Sequence, residues 1–416
     1  MGTLFNPLKE KVGNEELEHW LTQRLNPRID FRIYEFVYDG KKMVLFHIPA
    51  AHGQPITFEH IDYIRIGSIT RSLKDFPEKE NKLWLPPASE FEHEVALPHV
   101  SAQQIIDLLD TQAIFELFFR QPYPTTQQHV IEKLISKKFV LHNGGHYHIT
   151  NLGALLFAKD IEKFETIARK AVRVIQYEGK NKLKTSKNQT GKLGYANGFE
   201  HLMAYLMALL PSNELITDAH RQEVQMYPKL ALRELVANAL IHQDFRERGT
   251  NVMIEIYEDR IEISNPGKPI VSPDRFIDES QSRNESLADA MRRVGLCEEK
   301  GSGIDKVIFE VELYQLPAPD FQVKQTHTKV ILYAHKDLNE MNKADKIRAC
   351  YQHCGLCYVS NQRMTNQTLR QRFEIEEKNA AIASRIIRDT LEAGLIVLEN
   401  PYNKCSKYTI HLPCWA

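Results

Sequence analysis

The sequence predicts an α+β fold divided among several domains, and three observations carry that expectation. A chain of 416 residues is too long for one ordinary hydrophobic core, so about two to four domains are expected. Strand signals come in pairs, Phe31 to Val37 with Met43 to Ile48, and Val252 to Tyr257 with Arg260 to Ser264. Twice, three helical patterns in a row lead into one more pair of short strand-like segments, within 102–149 and again within 345–412. The composition, 43% hydrophobic and 26% charged, is that of a soluble globular protein. Lysine and arginine number 53 against 54 acidic residues, so any surface for nucleic acid must be local rather than global. No apolar run of about 18 residues occurs, and the N-terminus lacks a charged-then-apolar signal pattern, which predicts a cytoplasmic protein with no membrane contact.

The first domain is expected over residues 1–85. Glu15 to Leu25 reads as a helix, Asp39-Gly40 is a strong hairpin signal between the first strand pair, and Asp62 to Ile66 is a further strand. Arg65, Arg71 and Lys74 are candidate phosphate contacts, although charges so few and scattered also fit a solvated rim. Pro86 to Pro98 is rich in proline and glutamate and reads as a linker. Helical patterns follow at Ala102 to Leu109, Ala113 to Arg120 and Thr126 to Lys137, and Phe139 to Ile149 alternates around Asn143-Gly144-Gly145. Three helices and a hairpin are the parts of a winged helix. With Lys133, Lys137 and Lys138 as its one small cluster of positive charge, the domain at 86–160 is expected to be mainly a spacer.

A third domain is expected over residues 161–336. Gly179 to Lys192 holds five lysines and no acid; it reads as a solvated loop, with contact to a phosphate backbone as its functional alternative. Tyr195 to Leu210 is an amphipathic helix. The stretch Tyr227 to Phe245 is the one the rest is arranged around, with Pro228 where a helix start tolerates proline. Glu234, Asn238 and His242 fall at i, i+4 and i+8 and form one polar stripe. Leu232, Leu235, Val236, Ala239 and Leu240 cover much of the remaining circumference, which predicts a helix buried in a core. A carboxylate and an amide buried there must be satisfied, by internal hydrogen bonds or by a ligand and its metal. Downstream, Asn265-Pro266-Gly267 ends the strand pair, and Gly301-Ser302-Gly303-Ile304 opens another apolar helical pattern. Glycines there let backbone N–H groups approach a phosphate. Phe321 to Val323 and Thr328 to Tyr333 would finish the sheet.

The order E-x-x-x-N, then strand-N-P-G, then G-x-G-I resembles the Bergerat-fold ATPases, the GHKL group of gyrases, histidine kinases and MutL. The resemblance implies an α/β sandwich holding ATP and Mg²⁺. Glu234 would polarise the attacking water, Asn238 would hold Mg²⁺, and His242 on the same stripe counts among the binding residues. Asn265 and Gly267 would sit at the adenine, while Gly301 and Gly303 would open the helix under the phosphates. In the interval that carries the lid in those proteins, Arg283 and Asn284 would reach phosphates; a surface loop with Asn284 capping the next helix is the competing reading. The group usually has an aspartate where this chain has Asn265, whose amide oxygen accepts a hydrogen bond without the assistance of charge.

Residues 345–416 are expected to be a separate, second winged helix: helices at Asp345 to Tyr358, Asn366 to Phe373 and Asn379 to Ala393, with Leu395 to Leu398 and Tyr408 to Leu412 as the wing. Its third helix would expose Lys378, Ser384, Arg385 and Arg388, residue types that contact phosphates and guanine edges, and keep Ile382, Ile386, Ile387 and Leu391 inside. Cys350, Cys354 and Cys357, with His353 among them, could be half of a zinc site; no second pair at zinc spacing follows, and on one helix they read as small core residues.

Residues 1–85, with the segment YIRIGS, resemble the second half of the AlbA-like domain shared with Schlafen proteins, also called the divergent AAA-4 domain. Family members place roughly a further half-domain before the point matching Gly2, so the resemblance implies a truncated AlbA-like α/β domain. The chain as a whole resembles bacterial and archaeal proteins described as transcriptional regulators or as RecG-related DNA helicases. A helicase motor needs a P-loop, G-x-x-x-x-G-K-[ST], and the sequence contains none. The expectation is therefore a nucleotide-responsive DNA-binding regulator, capable at most of slow ATP hydrolysis. The alternatives are a Mg²⁺-dependent ATPase acting on nucleic acid and a degenerate scaffold that binds no nucleotide. The partners expected are a nucleotide and duplex DNA; a homo-oligomer is left open.

Overall fold

A computed structural model describes residues 11–29, 31–38, 40–48, 51, 54–66, 69–76, 79–80, 91–217, 220–247, 249–297, 303–400 and 409–416, with the backbone alone within 212–225. Its contacts divide at Phe91 into two units, and the architecture is a mixed α+β one with several sheets.

In the first unit, helix Leu17–Arg24 precedes a hairpin of Arg32–Tyr38 with Lys41–His47, in the register that a turn at Gly40 sets. Asp39 lies outside the described residues. Strands Leu25–Asn26, Thr57–Phe58, Ile61–Ile66 and Ile69–Ser72 form a separate four-stranded sheet. Arg65, Arg71 and Lys74 are all exposed there.

In the second unit Val95–Val100 (β1) is a strand, which corrects the end of the stretch Pro86 to Pro98 expected to be a linker. It sits at the edge of a three-stranded sheet, where Pro98 has a side without a ladder partner to face. Helix Ala102–Leu108 (α1) starts on a reciprocal cap between Ser101 and Gln104. A short helix Thr111–Ala113 continues into a π-type turn, Ile114–Phe119, and Gln127–Ser136 (α2) follows. Val140–Asn143 (β2) and His146–Thr150 (β3) close the sheet in the order β2-β3-β1, with Gly144 and Gly145 both at positive φ in the turn, where glycine costs least. Asn151–Phe157 (α3) is buried along its whole length.

A six-stranded sheet is the frame of the site. Its strands are Arg173–Tyr177 (β4), Thr185–Thr190 (β5), Met253–Ile256 (β6), Arg260–Pro266 (β7), Asp320–Val323 (β8) and His327–Tyr333 (β9), in the order β5-β4-β6-β7-β9-β8. Only β4 and β6 run parallel. The lysine run is therefore not simply a loop. Residues 185–190 form the edge strand β5, and the turn before it is held down by Lys182 pairing with Glu255 at 2.5 Å.

Register decides which residues share a face, because opposed residues on neighbouring strands point the same way. Ile254 opposes Ile263 and Ile256 opposes Ile261; on the next strand Ile261 opposes Leu332, Ile263 opposes Val330 and Asn265 opposes Thr328. That face carries helices Tyr195–Leu209 (α4), Lys229–Ile241 (α5) and Gly303–Leu313 (α7), with α4 and α7 beside α5. The other face carries Glu255 and Glu262, opposed to one another and nearly inaccessible. They are satisfied by Tyr177 and Lys182 for the first, and by Arg260 and Lys329 for the second. Helix Glu285–Arg293 (α6) lies between β7 and α7 in sequence.

The C-terminal elements are Lys343–Val359 (α8), Asn366–Arg372 (α9), Ala380–Glu392 (α10), Ile396–Leu398 (β10) and His411–Pro413 (β11). They belong to the same compact unit as the six-stranded sheet, and their core includes Ala318 and Met341 from the segments that lead into α8. Cys350, Cys354 and Cys357 lie in that core on α8. On α10 the buried residues are Ala383, Ile386, Ile387 and Thr390; Ile382, expected inside, is 42% exposed. No helix among the described residues is long and apolar enough to cross a membrane.

Candidate functional site

The polar stripe of α5 opens into a cavity of about 510 Å³. Every residue from Ala231 to Ile241 is buried except Arg233 and Asn238, since this helix lies between the sheet and its neighbours. Glu234 is 9% exposed, while Asn238 and His242 are half-buried; all three line the cavity. The sheet supplies the next wall through Asn265, Thr328 and Val330, which register puts on the helix-bearing face. Lys268, Ile270, Val271 and Phe276 line a further wall, with Phe276 edge-on to Phe321 at 5.4 Å. An acid, amides, a cation and apolar side chains gathered in one cavity suit a ligand with one charged and one flat apolar part.

Gly303 begins α7 against the stripe. A Cβ there would stand 3.0 Å from Glu234 Oε2 and 3.8 Å from Asn238 Nδ2, so the absent side chain keeps a cradle open at a helix start. Gly301, expected to act with it, lies outside the described residues. Asp305, in the first turn of α7, has its pKa raised by burial and then by the charge of Asp278. Burial, and then the Arg283 charge, lower His242 to about 4, which leaves its imidazole neutral at pH 7.

Arg283 lines the cavity but is already engaged: Nη1 donates to Asp244 Oδ2 at 2.5 Å and Nη2 to the Lys268 carbonyl at 2.7 Å. Gly267 lies beneath that pair rather than in the cavity wall. Its φ of +93° and a would-be Cβ 2.6 Å from Asp244 Cβ explain the residue type. Asn284 corrects the expectation that it reaches phosphates or caps a surface loop. It is 1% exposed, and its Nδ2 donates to the carbonyls of Ile241 (2.6 Å) and Gln243 (2.8 Å), which clamps the end of α5. No side-chain cap is made to α6; Glu92, from the residues before β1, accepts from the backbone N–H groups of Ser286 and Leu287 instead.

The structure thus brings Glu234, Asn238, His242, Asn265, Arg283 and Gly303 to one cavity, and leaves Asn284 and Gly267 behind its walls. Lys268, Thr328 and the aromatic pair Phe276 and Phe321 were missed. Only Lys268 had a signal in the sequence, as the cation next to Asn265-Pro266-Gly267.

The residues expected to touch DNA form no such enclosure. Lys378, Ser384, Arg385 and Arg388 are exposed; Lys378 precedes α10 and pairs with Glu376, the Ser384 hydroxyl accepts from Asn366 Nδ2 at 3.0 Å, and Arg388 lies 3.9 Å from Glu392. Inside α8, burial alone would lower His353, but hydrogen bonds to Cys357 and Glu312 and the charges of both residues outweigh it and raise its pKa to about 9. Among the described residues no group of three His, Cys, Asp or Glu side chains is arranged to hold a metal.

Residues 249–332 match the family model described as "Putative ATP-dependent DNA helicase recG C-terminal". The match spans β6 to the end of the sheet, including Asn265, Gly267, Arg283, Asn284 and Gly303, and begins after the helix that carries Glu234 and Asn238. That part of the chain is similar to an ATPase-type domain of RecG-related proteins. No curated protein matches the chain. Among solved structures, that of the DIP2311 protein from Corynebacterium diphtheriae is 16% identical with a TM-score of 0.49, over 95% of this chain and 78% of that one.

Proposed function

We propose that the chain is a nucleotide-responsive DNA-binding protein, with Mg-ATP in the α5 cavity and duplex DNA on the C-terminal helices. What carries the reading is the meeting of Glu234 and Asn238 with the glycine start of α7 in a cavity of about 510 Å³, within the size range of cofactor sites. The similarity of residues 249–332 to an ATP-dependent family supports it. Carboxylate and amide oxygens are the hard donors Mg²⁺ takes, and no Cβ fills the space above them at Gly303. Asn238 would hold the ion, which when bound neutralises phosphate charge and polarises a phosphoryl oxygen. Glu234 would orient a water and take its proton. Neutral His242 would donate or accept one hydrogen bond without repelling the ion. Lys268, Arg283 and Arg292 line the cavity as cations that phosphates would reach. Asn265, with Thr328 opposite, would read the base, and Phe276 and Phe321 would cover its flat face.

In this reading residues 1–85 are an AlbA-like part, 86–160 and 345–416 are winged helices, and 161–336 is the nucleotide-binding part. Arg385 and Arg388 are the proposed DNA contacts. The test is calorimetry of the whole chain against ATP, ADP and GTP with and without Mg²⁺, followed by thermal melts. A nucleotide at about a hundredfold over its Kd should add about 2.7 kcal/mol of stability. No heat and no shift with any nucleotide would leave the scaffold reading standing.

A further inference from the structure

The C-terminal helices are fastened to the two elements that flank the cavity. The first is α7. Its opening residue, Gly303, abuts Glu234, and about 14 Å along the same rod Glu312 meets the C-terminal part. Both Glu312 carboxylate oxygens lie at hydrogen-bond distance from His353 Nδ1 of α8 (3.1 and 3.0 Å), and Oε1 lies 3.4 Å from Arg372 Nε of α9. Arg372, 4% exposed, also donates to the Leu316 carbonyl just past α7, at 2.6 Å. Charges buried this deeply cannot part cheaply, so α7 and these helices shift as one body.

The second element is the segment 273–279, whose Phe276 and Glu279 line the cavity. Tyr351 Oη of α8 donates to the Asp274 carbonyl at 2.6 Å and accepts from Trp415 Nε1 at 2.9 Å. The Arg275 guanidinium stands 4.8 Å from the Trp415 ring centroid. At Gly355 a Cβ would come within 3.2 Å of Ile277 Cδ1, so α8 lies against this segment at close range.

From these two attachments we infer that the C-terminal helices sense occupancy of the cavity. A ligand that draws in the 273–279 segment or the start of α7 displaces α8 with it, and by linkage whatever holds α8 alters the ligand's affinity. The inference rests on the nucleotide reading above. A nucleotide bound in the cavity should then give a signal at Trp415, a residue that lines no part of the cavity.

The chain has three tryptophans, so Trp20→Phe with Trp84→Phe leaves Trp415 as the sole indole. In that background Mg-ATP is titrated into the full chain, with heat and Trp415 emission followed together. Both should saturate at the same concentration. Tyr351→Phe, which deletes the hydroxyl shared by Asp274 and Trp415, should shrink the emission change and shift the nucleotide Kd about fivefold, the low end of usual coupling. Arg275→Lys carries the same test should the first variant fail to fold. Heat with unmoved emission, or parental behaviour of the variants, overturns the inference alone. Absence of heat, of an emission change and of a melting shift removes the nucleotide reading and this inference with it.

Discussion

Helices α5 and α10 both carry polar side chains at one-turn spacing, yet the two stripes live under different physics. On α5 the spacing puts Glu234 and Asn238 among buried residues, where a polar atom is costly unless something satisfies it. On α10 it puts Arg385 and Arg388 in water, where their presence costs almost nothing and has no fixed consequence. A buried stripe therefore restricts what the molecule can do, and an exposed one only permits. The same contrast holds between two asparagines 46 positions apart in one neighbourhood: Asn238 faces the cavity, while Asn284 spends both amide hydrogens on carbonyls.

The largest effect should come from Asn284→Leu. Leaving the Ile241 and Gln243 carbonyls without donors should cost about 2–4 kcal/mol in urea unfolding. A loss under about 1 kcal/mol would mean that the end of α5 is held by other contacts. Next, Asn238→Ala should weaken the Mg²⁺-dependent part of nucleotide binding about tenfold, close to one charge-assisted hydrogen bond, without comparable loss of stability. Glu234→Ala should leave binding nearly intact and abolish any hydrolysis. Equal destabilisation in both variants would turn the α5 stripe into an internal network and erase its difference from Asn284.

On the exposed side, the Arg385→Ala, Arg388→Ala double variant should bind all duplex DNA more weakly. The salt dependence should flatten by about one unit of slope per lost phosphate contact. Gel shifts at several salt concentrations with an unchanged slope would assign α10 to a protein partner. The smallest effect at neutral pH concerns His242. Its folded pKa of about 4 lies below the ordinary 6.5, so the unfolded chain takes up the proton first. Stability should be complete above pH 6.5 and decline as pH falls from there through 4. His242→Gln should remove that part of the decline, and an unaltered acid profile would show that His242 is not held neutral by burial.

Much of the second unit was legible because its signals are local. The central helix, the strand pair ending at Pro266 and the three C-terminal helices each follow from periodicity over a dozen residues. What was not legible depended on partners distant in sequence. Asn284 reads as a cap until one knows that the end of α5 lies against it. Residues 185–190, polar throughout, become a strand only because β4 offers them an edge, and β1 forms despite Pro98 for the same reason. Residues 152–157 of α3, apolar throughout, fit helix and strand alike until they are buried. Thr328 enters the site only through its register with Asn265.

Gly267 has a consequence at the level of the gene. With φ at +93° and Asp244 Cβ only 2.6 Å from where a side chain would begin, the position tolerates no other residue without moving the Arg283–Asp244 pair above it. Any single-nucleotide change in a glycine codon is either silent, a stop, or a residue bearing a Cβ. At this codon, then, no missense variant is mild, and a natural lineage that lost the glycine would have had to rebuild the rim of the cavity with it.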